Sequence, residues 1–339
     1  MSWDERIISE AELARHGAAG GSHFSERVGG LLAQQQATWP LLRDATAGLS
    51  QVEYRNFEVK GARVLAQFNP KRIVSTAAKV DAHSIQARPC FLCPANLPPE
   101  EQGLAFGEKY VVLCNPFPVL PNHLVIAARE HTPQAIDGHL TELLELAEAL
   151  GDDYFALYNG PKCGASAPDH LHFQACLGGR VPLFGEAAEW PRERLLSRPG
   201  CEAATLSDYR LNLLVLHGTS KAALATCFQQ VVGDLKAITR TDEEPLLNLV
   251  VTFDQRAAAW SIYLFPRGQH RPASYFAQGE AKLTVSPAGI DLAGVLVVPE
   301  AAHFARISGP QIEAIYSEVT LDSDRFKQLL SRLSGRQSD

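Results

Sequence analysis

The chain has 339 residues, 46% of them hydrophobic and 20% charged, which is enough to bury a substantial core and long enough for two domains or one duplicated unit. A net charge of -7 with no Lys/Arg stripe excludes a dedicated nucleic-acid surface. The longest apolar runs, such as "LVVTF" and "VLVVP", are too short to cross a bilayer, so no membrane partner is expected. The N-terminus lacks a stretch of signal-peptide character, and a cytoplasmic address is expected. Seven scattered cysteines then read as free thiols or metal ligands rather than a disulfide framework.

In chain order, Val28, Leu31, Leu32 and Trp39 fall at helical spacing and predict one amphipathic helix from about Ser25 to Leu42. "QVEYRNFEV" and "ARVLAQF", separated by Lys60 and Gly61, predict a β-hairpin. A Pro-rich loop follows and carries the C-x-x-C knuckle Cys90 and Cys93. "YVVLCNPFPVLPNHLVIAA" reads as two strands, "TPQAIDGHLTELLELAEALG" as a helix ended by Gly151, and "DYFALYN" and "HLHFQACL" as two further strands. After a polar, Pro-containing stretch at about 187 to 207, a second set begins: the strand "YRLNLLVLHG", a helix from about Ser220 to Ile238, and "LLNLVVTFDQRAAAWSIYLFPRGQH". "LVIAAREH" (124 to 131) and "IYLFPRGQH" (262 to 270) both run into an Arg and then a His, which hints at internal duplication. The division expected is 1–190 and 191–339.

Side chains alternate across a strand, so His170, His172 and Gln174 are expected on one face, with Leu171, Phe173 and Ala175 toward a core. Neutral imidazole serves as nucleophile or metal ligand, and what its other nitrogen meets decides which. The bland alternative is a solvated polar face. The preceding "YNGPKCGASAPDH" offers Asn159, Lys162, Gly164 and Ser166 in a loop open enough for backbone N–H groups to approach an anion, although turn-forming glycines alone explain such a composition. The knuckle is equally compatible with a metal, redox chemistry or a plain loop; His131 and His170 are the histidines best placed to complete tetrahedral zinc. Cysteines 114, 163, 176, 201 and 227 read as packing residues.

The combination of C-x-x-C, then R-E-H-T after a strand, then N-x(4)-G-x-S-x-P-x-H-x-H-x-Q resembles the galactose-1-phosphate uridylyltransferase branch of the histidine triad superfamily. That branch also holds diadenosine tetraphosphate phosphorylases and GDP-hexose phosphorylases, and the likeness runs from about Gln51 to Pro272. It implies an α+β fold with two histidine-triad-like halves, each an antiparallel sheet with helices on one side, the second half degenerate. It implies that His172 is the nucleophile, attacking through Nε2 while Nδ1 donates to a backbone carbonyl, and that Gln174 binds the phosphoryl oxygens. It implies structural zinc on Cys90, Cys93, His131 and His170, with Asn159, Gly164 and Ser166 at the phosphates and Asn69, Lys71 and Arg72 near the nucleotide. The activity implied is nucleotidyl transfer from a nucleotide sugar or dinucleoside polyphosphate to phosphate or a sugar phosphate, in a possible homodimer. H-L-H in place of H-P-H, the extra Asp169, and Phe173 in place of a small residue point away from uridylyl transfer and toward the phosphorylases. Hydrolysis of a nucleotide conjugate, or zinc-stabilised nucleotide binding without turnover, are the alternatives.

Overall fold

A computed structural model describes residues 2–18, 22–73 and 81–336. Its centre is a ten-stranded antiparallel sheet in the order β3-β4-β5-β7-β6-β11-β12-β10-β9-β8. These strands are β3 (Leu104–Phe106), β4 (Tyr110–Cys114), β5 (Leu124–Ala128), β6 (Tyr154–Asn159), β7 (His172–Leu177), β8 (Arg192–Arg198), β9 (Cys201–Leu206), β10 (Leu214–Gly218), β11 (Leu247–Asp254) and β12 (Ala259–Pro266). The order is a palindrome of two five-strand sets that meet where β6 pairs with β11. The fold is therefore α+β and duplicated, as the sequence led us to expect. The division expected after residue 190 falls between the helix Pro182–Glu189 and β8, and the sheet runs unbroken through both sets.

One face of this sheet is closed along its whole length. The helices Phe24–Thr38, Leu140–Leu150, Lys221–Thr239 and Ser323–Gly335 bury their apolar stripes against residues such as Phe173, Ala175, Ile262 and Leu264, forming one core under both halves. The other face carries two separate clusters. Beneath the C-terminal half, Tyr263 and Phe265 pack with a three-stranded sheet of β1 (Glu53–Val59), β2 (Ala62–Phe68) and β13 (Val295–Val297) and with the helix Gly309–Val319. Beneath the outer N-terminal strands, Leu113 and Ala127 pack with Trp3, Cys90, Leu92 and Leu97. A cavity of about 640 Å³ lies between these two clusters.

Several expectations need correction. The single helix to Leu42 is two, Phe24–Thr38 and Pro40–Gly48, because Pro40 forces Trp39 into extended backbone and then starts the second helix itself. The hairpin at Lys60 and Gly61 is present, both residues having positive φ as a two-residue turn requires, but it belongs to the three-stranded sheet. The stretch at 187 to 207 is mostly the β8–β9 hairpin. A bulge between Arg194 and Leu196 breaks the alternation that would have shown it. The palindrome matches β5 with β10 and β7 with β12, so aligning 124–131 with 262–270 paired strands that are not equivalent.

Candidate active site

β7 opens the cavity. Hydrogen-bonded to β5 on one side and β6 on the other, it sends Phe173 and Ala175 into the helix-covered core, while His172 and Gln174 border the cavity. His170 lies just before the strand, and its ring belongs to the knuckle.

The two histidines are separated by what their nitrogens meet. The Nε2 of His170 lies 2.8 Å from the carbonyl oxygen of Ala128 and donates to it, which leaves the lone pair on Nδ1. That Nδ1 is 3.3 Å from the Cys90 sulfur and 3.6 Å from the Cys93 sulfur, while His131 Nδ1 is 3.2 Å from Cys93. All four ligand atoms lie within 4.8 Å of one another. A tetrahedral zinc with Zn–S of ~2.3 Å and Zn–N of ~2.0 Å sets sulfur and nitrogen about 3.5 Å apart, so the cluster has the size as well as the donors for such an ion. The residues fit a metal.

In His172 the roles are reversed. Its Nδ1 is 2.8 Å from the carbonyl oxygen of His170, so Nδ1–H donates there and Nε2 keeps its lone pair. Burial pushes this imidazole down to about 4, which keeps it neutral at pH 7. Gln134 clamps the backbone at this point: its side-chain oxygen accepts from His172 N–H at 2.8 Å, and its amide donates to the carbonyls of His172 and Asn159 at 3.0 and 2.9 Å.

Gln174 is oriented by His123. Nδ1 of His123 accepts from Val119 N–H at 3.1 Å, so Nε2–H donates to the Gln174 oxygen at 2.8 Å, and the Gln174 NH2 group has no protein partner among the described residues. Burial pushes His123 down to about 3 and holds it neutral. The side-chain oxygen of Asn159 accepts from Asn248 at 2.7 Å and from Gly289 N–H at 2.9 Å, leaving its NH2 group beside the cavity. Asn248 in turn accepts from the buried Arg267 at 2.6 Å. The remaining guanidinium bonds of Arg267 go to the carbonyls of Val319, Pro287, Gln269 and His270, fixing the loop that carries His270 and Arg271.

Of the residues expected at the substrate, Arg72, Asn159, Gly164 and Ser166 border the cavity. Gly164 has φ of +101°, and a Cβ there would come within 2.6 Å of Ala288, so glycine is required for the loop to touch the C-terminal half. Asn69, Lys71 and Lys162 do not border it. Asn69 is buried and donates to the Pro118 carbonyl at 3.1 Å, Lys71 donates to the Asp44 carbonyl at 3.0 Å, and Lys162 pairs at the surface with Glu243 at 2.6 Å. Sequence reasoning missed His123, Gln134, Arg88 and the entire wall from the C-terminal half, where Arg271 Nε donates to Ser286 at 3.0 Å. For His123 the available signal was the histidine of "PNHLVIAA", one residue ahead of β5.

Residues 188–335 match the family model described as "GDPGP1-like, C-terminal domain", and residues 31–177 match "Domain of unknown function (DUF4922)". No curated protein matches the chain. Among solved structures, yeast Ap4A phosphorylase Apa2 in complex with AMP aligns at a TM-score of 0.55 and 15% identity, covering 85% of this chain and 97% of that one. The same enzyme in complex with Ap4A aligns at 0.56 and 16%, covering 84% and 97%. No helix among the described residues is long and apolar enough to cross a bilayer. The chain shares its fold with yeast Ap4A phosphorylase Apa2, and its C-terminal part is similar to the GDPGP1-like C-terminal domains.

Proposed function

We propose that the protein is a nucleotidyltransferase of phosphorylase type, working through a nucleotidyl-histidine at His172. The observation that carries this reading is the Nδ1–H bond of His172 to the His170 carbonyl, which leaves a neutral Nε2 lone pair on a residue that borders the cavity. In the first displacement Nε2 attacks the α-phosphorus, and the bond to the leaving phosphate oxygen breaks with its electron pair on that oxygen. In the second, a phosphate or sugar-phosphate oxygen attacks the same phosphorus and the P–N bond electrons return to the imidazole. Splitting the exchange this way gives each step a good nucleophile and predicts ping-pong kinetics.

The Gln174 NH2 group, oriented by His123, and the amide of Asn159 are the donors for charge on the equatorial oxygens. Arg72, Arg88 and Arg271 border the same cavity and offer positive charge to the leaving or accepting phosphate. His270 and Arg271 come from beyond β12, so the C-terminal half, which has no second H-x-H-x-Q, would serve as the far wall of the phosphate site. Two thiolates and two imidazoles favour zinc; with four protein ligands it would be structural, tying the knuckle to the residue that supplies the His172 carbonyl acceptor.

The test is incubation with α-labelled nucleotide hexoses and dinucleoside polyphosphates without acceptor, followed by a chase. Acid-labile label on the protein that phosphate discharges as a nucleoside diphosphate supports the reading. Discharge by water alone would make the protein a hydrolase, and absence of label with every substrate would make it a binding protein.

A further inference from the structure

The ladder between β6 and β7 breaks off just where the two strands carry the polar residues of the site. Its register runs from Tyr154 opposite Leu177 to Leu157 opposite Gln174, and continuing it would set Asn159 opposite His172. Leu171 bonds Ala128 and Thr132 on the β5 side, and Gly160 donates to Leu247 on the β11 side. Peptide groups alternate in direction along an antiparallel ladder, so those of His172 and Asn159 are turned toward each other. The side-chain amide of Gln134 stands between them instead. Its oxygen accepts from His172 N–H at 2.8 Å, and its nitrogen donates to the carbonyls of His172 and Asn159 at 3.0 and 2.9 Å. One side chain thus takes the place of a backbone pair, and its width separates the strands.

The amide is held from both ends of its loop. Gln134 is buried, and its own N–H donates to the carbonyl of Pro168, two residues before His170, at 3.1 Å. Two residues further on, Ile136 N–H donates to Oε2 of Glu244 at 2.6 Å, and Oε1 of the same carboxylate accepts from the Tyr158 hydroxyl at 2.6 Å. Glu244 lies between the helix Lys221–Thr239 and β11. The C-terminal half therefore fixes the loop of Gln134 to β6, one residue from Asn159.

We propose that Gln134 is a positioning residue for phosphoryl transfer, a wedge that sets the gap between the His172 imidazole and the Asn159 amide to the size of a phosphoryl group. Both of these side chains border the cavity. Directly opposite residues in a closed ladder stand only about 4.5–5.5 Å apart at Cβ, which leaves little room between them. Near-attack geometry needs Nε2 about 3–3.5 Å from phosphorus, with the Asn159 donor a further hydrogen bond beyond a phosphoryl oxygen. Glutamine suits the wedge because its amide turns an acceptor to one N–H and two donor hydrogens to two carbonyls. A carboxylate in its place would set an oxygen against those carbonyls, and an apolar side chain would leave all three groups unpaired.

The assignment rests on the nucleotidyl-histidine reading, and single-turnover labelling of the intact zinc-loaded protein tests the two separately. The probes are α-labelled Ap4A and α-labelled GDP-glucose without acceptor, each over a range of concentrations, so that the maximal rate is separated from half-saturation. Gln134→Met, which keeps the length and loses the amide, is expected to lower the maximal rate about 100-fold and to move half-saturation by less than about threefold. Glu244→Gln, which can no longer accept from both Ile136 and Tyr158, is expected to lower the same rate about 3- to 10-fold. A wild-type maximal rate in folded Gln134→Met overturns the assignment, as does a loss that appears only as weaker half-saturation. Should Gln134→Met fail to fold, a wild-type rate in Glu244→Gln overturns it instead. Absence of label on the wild-type protein with both probes overturns the nucleotidyl-histidine reading itself.

Discussion

β7 and β12 occupy equivalent places in the two halves of the sheet, yet one presents His172 and Gln174 to a cavity while the other presents Tyr263 and Phe265 to a packed core. Their opposite faces are alike: Phe173 and Ala175 in β7, Ile262 and Leu264 in β12, all buried beneath helices. The duplication has kept the helix-covered side, which stabilises both halves, and diverged on the other. What distinguishes the N-terminal half is the gap over His172 and Gln174, since the cluster built on β1, β2 and β13 reaches β7 only at Cys176. The second half borders the cavity at its edge, where Arg267 fixes the loop of His270 and Arg271.

The sharpest way to break this comparison is to substitute the equivalent strands in turn. His172→Ala should lower nucleotidyl transfer at least about 10⁴-fold, as loss of a catalytic nucleophile does, and leave thermal stability nearly unchanged. Phe265→Ala on the matching strand should cost about 3–5 kcal/mol of stability through the cavity it leaves. If chemical denaturation showed the two equally destabilised, the division into a reactive and a packed face would be wrong.

The metal cluster comes next in size. Cys90→Ser should lose bound zinc and lower the melting temperature together, because the ion would tie the knuckle to His170. Full zinc retention in the folded variant, measured by elemental analysis, would remove Cys90 from the ligand set.

The smallest effect concerns His123. Its folded value of about 3 lies below that of an exposed histidine, ~6.5, so between those values the unfolded chain binds a proton that the folded chain does not. Its contribution is therefore favourable above about pH 6.5 and is lost progressively as pH falls toward 3. His123→Asn should reduce the slope of stability against pH, between about 4 and 6, by about 1.4 kcal/mol per pH unit. An unchanged slope would mean that His123 is not held neutral. The same substitution should lower transfer by freeing Gln174.

The half that carries the proposed nucleophile was readable because the H-x-H-x-Q motif is local. Period-two alternation across 170–174 separates the core residues from the polar ones, and the resemblance joined the C-x-x-C knuckle to His131 and His170. Within those motifs the placement of His170 differed, since its ring joins the cysteine cluster from the turn before β7 rather than from the strand face. The far wall was not readable. Arg271, Ser286 and Asp291 reach the cavity only because β11 pairs with β6, and nothing in their neighbourhoods marks that contact. Lys162 shows the reverse case: a cation in a phosphate-like loop that the fold turns outward to Glu243.

The central claim is that Nε2 of His172 forms a bond to phosphorus. Peptide mapping by mass spectrometry, after mixing the protein with a nucleotide hexose in the absence of acceptor and quenching in alkali, measures this directly. The account predicts one nucleoside monophosphate on the peptide containing His172, absent from His172→Ala. The same adduct on any other residue, or its persistence in that variant, would contradict it.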